Sequence, residues 1–247
     1  MSDSHFQTIR HLALFARMSD LAFGQLMRGA YLQNFPPQLQ LITEGEHSDF
    51  LHVLISGSVE LFSSWEGRET SMATVQPVST FILAATIRDA PYLMSARTLE
   101  KSRIVLIPSQ DVHDIFEQDV GFARAIVDEL AICYRATIRN SKNLKLRTSQ
   151  ERLANYLLRQ HARMGGPDHF DLTSEKRRLA SYLGMTPESL SRAFGALKSF
   201  GVEIDGATVR IVDLELLRSF ARPHNLLDDY GDSAQNQAKL PKDSNSC

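Results

Sequence analysis

Residues 172–200 read LTSEKRRLASYLGMTPESLSRAFGALKSF, and this stretch decides the fold. Apolar residues recur at helical spacing over 174–183, and Gly184 follows where a left-handed C-terminal cap is expected. Thr186 is placed to N-cap a second helix with Pro187 at its first position, where the missing N–H of proline costs nothing. The pattern predicts a helix-turn-helix.

The second helix of this pattern has one apolar face and one polar face. Its apolar residues are Leu190, Ala193, Phe194 and Leu197. A recognition helix contacts base edges from its N-terminal residues, so the polar face predicts a set of DNA-reading residues, namely Glu188, Ser189, Ser191 and Arg192. We expect further DNA contacts from Thr186, Lys176, Arg177 and Lys198. The alternative is an ordinary helical hairpin whose polar residues face water.

Charge is distributed unevenly along the chain. The net charge of the whole chain is −2, but residues 1–134 carry −7, residues 135–200 carry +8 and residues 201–247 carry −3. Positive charge concentrated around a helix-turn-helix is what phosphate contact and counterion release require. We therefore expect double-stranded DNA as a partner, although a solvated charged face is the simpler interpretation of most single basic residues.

Composition excludes several classes of protein. The chain has 247 residues and is 43% hydrophobic, but no run approaches the ~20 apolar residues of a membrane span. Its start lacks a signal-peptide pattern, so we expect a cytoplasmic protein without a membrane partner. Two cysteines, Cys133 and Cys247, exclude a disulfide framework and an all-cysteine iron–sulfur or zinc cluster. No phosphate loop, dinucleotide fingerprint or nucleophile elbow is present, so an enzyme is not expected.

Three further patterns indicate the domain organisation. Short strand-like runs alternate with turn residues between 33 and 107, which predicts a compact antiparallel roll. A hairpin with a type I′ turn at Asp205–Gly206 is predicted over 202–212, as in a winged helix. We expect an α+β fold, with an N-terminal antiparallel β-roll and its helices over 1–119, a dimerisation helix over 120–146, a C-terminal winged helix-turn-helix over 147–230 and a disordered tail over 231–247.

The predicted long helix carries two apolar stripes. One alternates steps of four and three residues, the heptad spacing of a coiled coil, and the second lies beside it. Two adjacent stripes suggest burial on two sides, one of them against a second copy. We therefore predict a homodimer whose contacts are Ile126, Leu130, Cys133, Tyr134, Thr137 and Ile138. For either stripe alone, burial against its own domain is the alternative.

A roll, a long helix and a winged helix-turn-helix, in that order, resemble the cyclic-AMP receptor/fumarate–nitrate regulator (Crp/Fnr) superfamily of bacterial transcription factors. The resemblance covers about residues 10–220 and includes the roll motif EGE at 44–46, DFL at 49–51 and ISGSV at 55–59. It implies a cyclic-nucleotide-binding-like roll that receives a signal, a homodimer, and RNA polymerase as the partner of an activator.

The roll departs from the cyclic-nucleotide-binding members of this superfamily. Those members hold the ribose and cyclic phosphate with a Gly-Glu pair and an Arg-Ser-Ala run, whereas this chain has FILAA at 81–85 and MSA at 94–96. The carboxylate is absent, and methionine replaces the guanidinium. Strand alternation directs Arg97 to the face opposite Ala96. A bound cyclic nucleotide is therefore not expected.

The segment MTPESLSRAF at 185–194 is similar to the recognition helices of Nnr- and Dnr-type nitric-oxide-responsive regulators of denitrification. Fix-type regulators of microaerobic genes share its Glu-x-x-Ser-Arg set. Both resemblances imply a TTGAT-type half-site repeated with two-fold symmetry. The chemistry agrees, because Arg192 can donate to guanine O6 and N7, Glu188 can accept from cytosine N4 and Ser191 can contact a thymine edge.

The Nnr/Dnr resemblance implies a haem in the roll domain that binds nitric oxide. Histidine is the commonest ligand for such a site, and among the eight histidines His11 is the candidate, with a surface or core histidine as the alternative. No cysteine precedes Cys133, so an N-terminal cysteine-ligated iron–sulfur cluster is excluded. The alternative interpretations of the chain are a sensor-free Fix-type regulator, a regulator controlled by a peptide or protein, and a cyclic-nucleotide-responsive regulator. A further alternative is an architectural DNA binder whose affinity does not depend on sequence.

Overall fold

The computed structural model describes residues 3–172 and 176–228, so the predicted tail at 231–247 lies outside the described residues. The chain divides into two compact units, residues 1–134 and 135–247, and the division falls within one long helix. This helix spans Val120–Leu146, the segment predicted as the dimerisation helix. Among the residues that the structure describes, no helix is both long and apolar enough to cross a membrane.

In its described part, residues 3–134, the first unit combines short helices with eight strands. Its helices are α1 (Asp3–Arg10), α2 (Ala13–Ala16), α3 (Asp20–Gly29), α4 (Leu83–Arg88), α5 (Ser109–Gln118) and the start of α6 (Val120–Leu146). Its strands are β1 (Tyr31–Phe35), β2 (Gln40–Ile42), β3 (Phe50–Ser56), β4 (Val59–Trp65), β5 (Arg68–Val75), β6 (Ser79–Phe81), β7 (Ser95–Thr98) and β8 (Ser102–Pro108). They form two antiparallel sheets, ordered β1-β8-β3-β6 and β2-β7-β4-β5, which confirms the predicted roll.

Strand β3 shows why the first unit needs helices outside the roll. Leu51 and Val53 are completely buried in a core that the helices share, whereas Leu54 belongs to the core inside the roll. A strand buried on both faces lacks the simple alternation of an exposed sheet. Helix α6 then begins at Val120 because the preceding Asp119 accepts a hydrogen bond from the N–H of Phe122 at 2.7 Å.

The described residues of the second unit, 135–172 and 176–228, form the end of α6, four further helices and a small sheet. The helices are α7 (Ser149–Arg163), α8 (Lys176–Tyr182), α9 (Pro187–Leu197) and α10 (Leu214–Ala221), and a short 3₁₀ turn follows α9 at Lys198–Phe200. The strands β9 (His169–Asp171), β10 (Val202–Asp205) and β11 (Thr208–Ile211) pair antiparallel in the order β10-β11-β9. This is a winged helix-turn-helix, so the predicted α+β fold class is confirmed.

Candidate nucleic-acid interface

The turn between α8 and α9 has the predicted geometry. Gly184 has a φ of +63°, in the left-handed region. The N–H of Met185 donates to the carbonyl of Ala180 and the N–H of Gly184 donates to that of Ser181, both at 2.9 Å, which is the bond pair of a Schellman cap. The backbone angle favours glycine here, and a Cβ added at Gly184 would lie 2.5 Å from Leu144 Cδ2, the end of a partly exposed side chain that would have to move.

Helix α9 also begins as predicted. The Thr186 hydroxyl accepts a hydrogen bond from the N–H of Ser189 at 3.2 Å, and Pro187 is the first helical residue. The inner face is buried in the core of the second unit and consists of Leu190, Ala193, Phe194 and Leu197. This burial fixes the rotation of α9 about its axis, so the opposite face is held towards solvent.

The exposed face of α9 carries the predicted reading residues. Glu188, Ser191 and Arg192 are exposed and Ser189 is half-buried, with Arg192 Nη2 at 3.5 Å from Ser189 Oγ. Hydrogen bonds from its own N–H and from the Thr186 hydroxyl, with the charge of Arg192, lower the pKa of Glu188. The face therefore presents an ionised acceptor beside a guanidinium donor, a pair suited to cytosine N4 and guanine O6/N7.

Basic residues flank this face on the same motif. Lys176 and Arg177 are exposed in the first turn of α8, and Lys198 is exposed directly after α9. Thr186, which caps α9, is exposed as well. The eight predicted DNA-binding residues thus lie on one helix-turn-helix, and phosphate contact by the basic ones stays a prediction.

The wing has a different turn from the predicted one. Asp205 pairs with Thr208, so the loop is Gly206–Ala207, and Gly206 alone of the two has a positive φ, of +59°. A type I′ turn needs positive φ at both central residues, so the predicted type I′ turn at Asp205–Gly206 is wrong. The tip, residues 205–208, carries one acidic side chain and no basic one. Any phosphate contact there would involve backbone or hydroxyl groups.

Two arginines of the basic segment have internal roles that the sequence analysis missed. Arg152 is buried, and its guanidinium donates to the carbonyls of Leu183 at 2.7 Å, Gly184 at 3.2 Å and Arg147 at 2.7 Å. Burial lowers the pKa of Arg152. Arg147 in turn pairs with the buried Asp228. One signal was available, because Arg152 lies four residues before Tyr156 and so shares the inner face of α7.

The long helix α6 has one surface buried against its own unit and one exposed surface, as the two predicted stripes suggest. One of the predicted dimer contacts, however, lies on the buried surface. Ile126 is 1% exposed and lies in the core of the first unit, and Leu130 packs against that core. Ile126 is therefore a core residue and is not available to a second copy. The other predicted contacts are exposed, and they are Cys133, Tyr134, Thr137 and Ile138. Val127 and Tyr134 of the second stripe are 61% and 67% exposed.

Arg97 lies outside the roll, as strand alternation predicts. Ala96 is completely buried inside the roll, whereas Arg97 donates to Glu60 and Glu69 with Nη2–oxygen distances of 2.6 Å. Its guanidinium also lies over the Phe62 ring, 4.4 Å from the centroid. These three partners occupy Arg97 on the outer face of the β7-β4-β5 sheet, so it is not a substitute for the guanidinium missing at Met94.

Two histidines, His11 and His52, lie in contrasting environments. His11 is exposed in the turn after α1, which is not the apolar enclosure in which haem iron is normally held. His52 on β3 is buried opposite Phe81 and Leu106, and its Nδ1 has no hydrogen-bond partner. Burial lowers the pKa of His52 to about 4, so its ring is neutral. That nitrogen has the chemistry of a haem ligand, but a porphyrin would reach it only if the neighbouring core side chains moved.

A metal centre built from protein ligands alone is not evident. Within residues 3–172 and 176–228, no three histidine, cysteine, aspartate or glutamate side chains are grouped to hold a metal ion. The arrangement of the described residues is that of a DNA-reading motif joined by a long helix to a β-roll.

Comparison with known proteins gives two family matches. Residues 32–119 match the cyclic nucleotide-binding domain and residues 151–220 match the Crp-like helix-turn-helix domain. The transcriptional activator protein anr of Pseudomonas aeruginosa is 24% identical over 178 residues, which are 70% of this chain and 73% of that protein. The CRP-like cAMP-activated global transcriptional regulator of Mycobacterium tuberculosis is 24% identical over 87% of this chain and 99% of its own length.

Among solved structures, DNR from Pseudomonas aeruginosa shares the fold with a TM-score of 0.50 and 24% identity, over 89% of this chain and 99% of that one. The two domain matches lie on the roll and on the winged helix-turn-helix, in the order that the superfamily has. The chain belongs to the Crp/Fnr family of transcription regulators.

Proposed function

We propose that this protein is a homodimeric, sequence-specific activator of denitrification or nitric-oxide-response genes, which binds a TTGAT-type palindrome and acts through DNA and RNA polymerase rather than by catalysis. The observation that carries this proposal is the exposed N-terminal face of α9, where Glu188, Ser191 and Arg192 stand on a helix fixed by its buried inner face. These three residues supply the acceptor and donor set that the half-site requires.

The dimer is supported by the exposed apolar surface of α6. Val127, Tyr134 and Ile138 recur along a helix of 27 residues, and Leu144 and Leu146 near its end are also exposed. An exposed apolar stripe of this length marks an interaction surface. Val127 and Tyr134 are seven residues apart and Ile138 follows four residues later, so this second stripe also has the spacing of a coiled-coil seam. A second copy is the occupant that this spacing favours, and it would supply the second recognition helix that a palindrome needs.

The proposed signal is not a cyclic nucleotide. Met94 stands where a guanidinium would bind phosphate, and Arg97 is already paired with Glu60 and Glu69. The Mycobacterium tuberculosis relative is named as cAMP-activated, so a cyclic-nucleotide response is the second candidate. Calorimetric titration with cyclic AMP and cyclic GMP separates the two, because our proposal expects no heat of binding from either.

Haem remains a prediction for this chain. The exposed His11 and the enclosed His52 are the two histidines to test, by adding haem to the wild-type protein, His11→Ala and His52→Ala. A Soret shift lost in one variant alone would identify the ligand. Binding unchanged in both variants would exclude both residues.

The central experiment is an anisotropy titration of a labelled TTGAT-palindrome duplex and a scrambled duplex. It is made anaerobically with haem-treated protein, with and without nitric oxide. We expect the affinity for the palindrome to exceed the affinity for the scrambled duplex by about 10³-fold or more. Nitric oxide should increase the affinity for the palindrome. Tight specific binding in every state would favour a sensor-free Fix-type regulator. Equal affinity for both duplexes would contradict sequence-specific recognition and favour an architectural DNA binder.

A further inference from the structure

A buried carboxylate lies near the end of the described chain. Asp228 is 1% exposed and accepts hydrogen bonds from three residues. Both Nη atoms of Arg147 donate to it, with Nη1 at 2.6 Å from Oδ1. Arg159 Nη1 lies 3.1 Å from Oδ1, and the N–H of His224 lies 2.9 Å from Oδ2. Although burial raises the pKa of Asp228, the hydrogen bonds and charges of these partners leave it below its ordinary value. The site therefore holds a charged carboxylate.

This carboxylate is carried by a short segment after α10, residues 222–228, which we name the C-terminal strap. The strap leaves α10 at Arg222, which has a φ of +46°, and ends in a turn where the N–H groups of Leu227 and Asp228 donate to the His224 carbonyl at 2.8 Å. Its base is attached to α7, because Asn155 Nδ2 donates to the carbonyl of Ala221 at 2.7 Å. Residues 222–226 of the strap are exposed, but the strap is attached to the winged helix at both ends, through the Ala221 carbonyl and through the buried Asp228.

The strap reaches the junction between α6 and α7. Arg147 follows the last residue of α6, and Thr148 then N-caps α7 in a capping box with Glu151. The side chain of Arg147 is 7% exposed and is held by Asp228. Its carbonyl accepts from Arg152, which also donates to the two carbonyls at the end of the first helix of the helix-turn-helix. One junction residue therefore connects α6, the strap and the reading motif.

Such a connection restricts how the reading motif can turn relative to the end of α6. Helices α6 and α7 are joined by two non-helical residues, Arg147 and Thr148, and backbone rotation there would swing the winged helix. The paired guanidinium and carboxylate are buried, so rotation that separates them would leave the Asp228 carboxylate with only Arg159 and the His224 N–H as donors, and would remove both of its hydrogen bonds from Arg147. In a symmetric dimer, the angle at this junction sets the separation and rotation of the two recognition helices.

We propose that Asp228 is a positioning residue for DNA recognition, which by holding Arg147 fixes the half-site spacing that the dimer accepts. This inference rests on the proposed function as a palindrome-binding dimer. One inserted base pair rotates the second half-site by about 35° and moves it by about 3.4 Å. A rigid junction penalises that change, whereas a junction released from the strap tolerates it.

The chain offers a matched pair of variants to test the strap. Arg147→Gln breaks the tie between the junction and Asp228, whereas Arg159→Gln removes a donor to the same carboxylate from within α7. Each protein is titrated with TTGAT palindromes whose half-site centres are one helical turn apart, or one base pair closer or further apart. Asp228→Asn is the third variant, and thermal unfolding shows which variants fold.

We expect Arg147→Gln to lower the preference for the reference spacing by about tenfold, within the range by which residues outside a ligand site modulate coupling. Arg159→Gln should keep the wild-type preference. A uniform loss of affinity on all three spacings, with unchanged preference in Arg147→Gln, would overturn the inference, as would a wild-type protein that binds every spacing equally. A wild-type protein that does not distinguish the palindrome from a scrambled duplex would instead overturn the proposed function.

Discussion

Arg192 and Lys198 carry the same charge on the same motif, yet we expect different contributions to DNA binding. Arg192 lies on the exposed reading face of α9, whereas Lys198 follows the last turn of that helix. Arg192→Ala should cost about 1–3 kcal/mol on the specific duplex and relax specificity at the guanine. Lys198→Ala should weaken specific and scrambled binding alike and lower the salt slope by about one. Anisotropy titrations at several salt concentrations measure both effects.

One outcome would contradict a base-reading role for Arg192. If Arg192→Ala loses equal affinity on specific and scrambled duplexes, then its guanidinium contacts only phosphate. Glu188→Gln adds an independent check at the cytosine, because the amide keeps one acceptor but replaces the other with a donor. The loss of affinity in Glu188→Gln should therefore be confined to duplexes that keep the cytosine.

A second residue-scale prediction concerns acid stability. The folded roll holds His52 neutral with a pKa of about 4, against 6.5 for an unperturbed histidine. Between these values the unfolded chain binds a proton that the folded chain does not, so the free energy of unfolding falls as the pH falls. We expect this residue to contribute a loss of about 3 kcal/mol from pH 7 to pH 4.

Urea unfolding of wild-type protein and His52→Leu at several pH values measures this contribution. The difference in unfolding free energy between the two proteins should change with pH across the 6.5 to 4 window and be constant above it. His11→Gln, at an exposed position, is the matched control and should follow the wild-type protein. A pH-independent difference for His52→Leu would contradict a buried neutral imidazole.

At the scale of elements, two glycines of the helix-turn-helix should respond oppositely to alanine. Gly184 has a positive φ, so Gly184→Ala should destabilise the second unit by about 1–2 kcal/mol, the cost of a Cβ in the left-handed region. Gly195 lies within α9, and a Cβ added there meets no atom within 4 Å. Gly195→Ala should stabilise by about 0.5–1 kcal/mol through helix propensity. Thermal unfolding of the two variants tests these two predictions. An equal change in Tm for both variants, relative to the wild-type protein, would contradict the described turn.

The elements also show what the sequence can and cannot predict. Thr186 and Gly184 make hydrogen bonds to residues within five positions, and Pro187 acts through its own fixed φ, so local chemistry was enough to predict the turn and the start of α9. Ile126 and Arg152 differ, because their partners come from distant segments and a helical stripe alone does not show which neighbour covers it. Burial by tertiary contacts decided both cases.

The strands of the wing and of the roll also have features that local sequence predicts and features that depend on distant partners. The predicted turn at Asp205–Gly206 was displaced by one residue, because the pairing of Asp205 with Thr208 fixes the loop and glycine can adopt positive φ at either central position. In the roll, alternation alone was enough to separate Ala96 from Arg97. The Glu60 and Glu69 partners of Arg97 required the strand order β7-β4-β5.

At the scale of the whole molecule, charge and apolar surface are separated along the chain. The segment 1–134 carries −7 and the segment 135–200 carries +8, although part of the positive charge is used internally by Arg147 and Arg152. The exposed apolar stripe lies on α6, which runs through both units. A dimer formed on this stripe would bring two basic segments to one duplex, as a palindrome requires.

Cys133 provides a direct test of that dimer. It lies on the first stripe of α6, beyond the buried Ile126 and the partly buried Leu130, and is exposed beside Tyr134 of the second stripe. In a parallel two-stranded arrangement we therefore expect it near the partner's Cys133. In Cys247→Ser protein, a short bis-maleimide should link two chains through this position. Burial and the charge of Glu129 raise the pKa of the Cys133 thiol, so the reaction should be slow at pH 7 and faster near pH 8.5.

The control moves the thiol around the helix. Arg135 is exposed two residues further along, at a position that points away from the predicted seam. Cys133→Ser with Arg135→Cys, in the same Cys247→Ser background, should therefore be labelled but not linked. Linkage at low protein concentration for Cys133 and not for position 135 would support a dimer on this stripe. Equal linkage at both positions would indicate random collision, and linkage at position 135 alone would place the second copy on another face of α6.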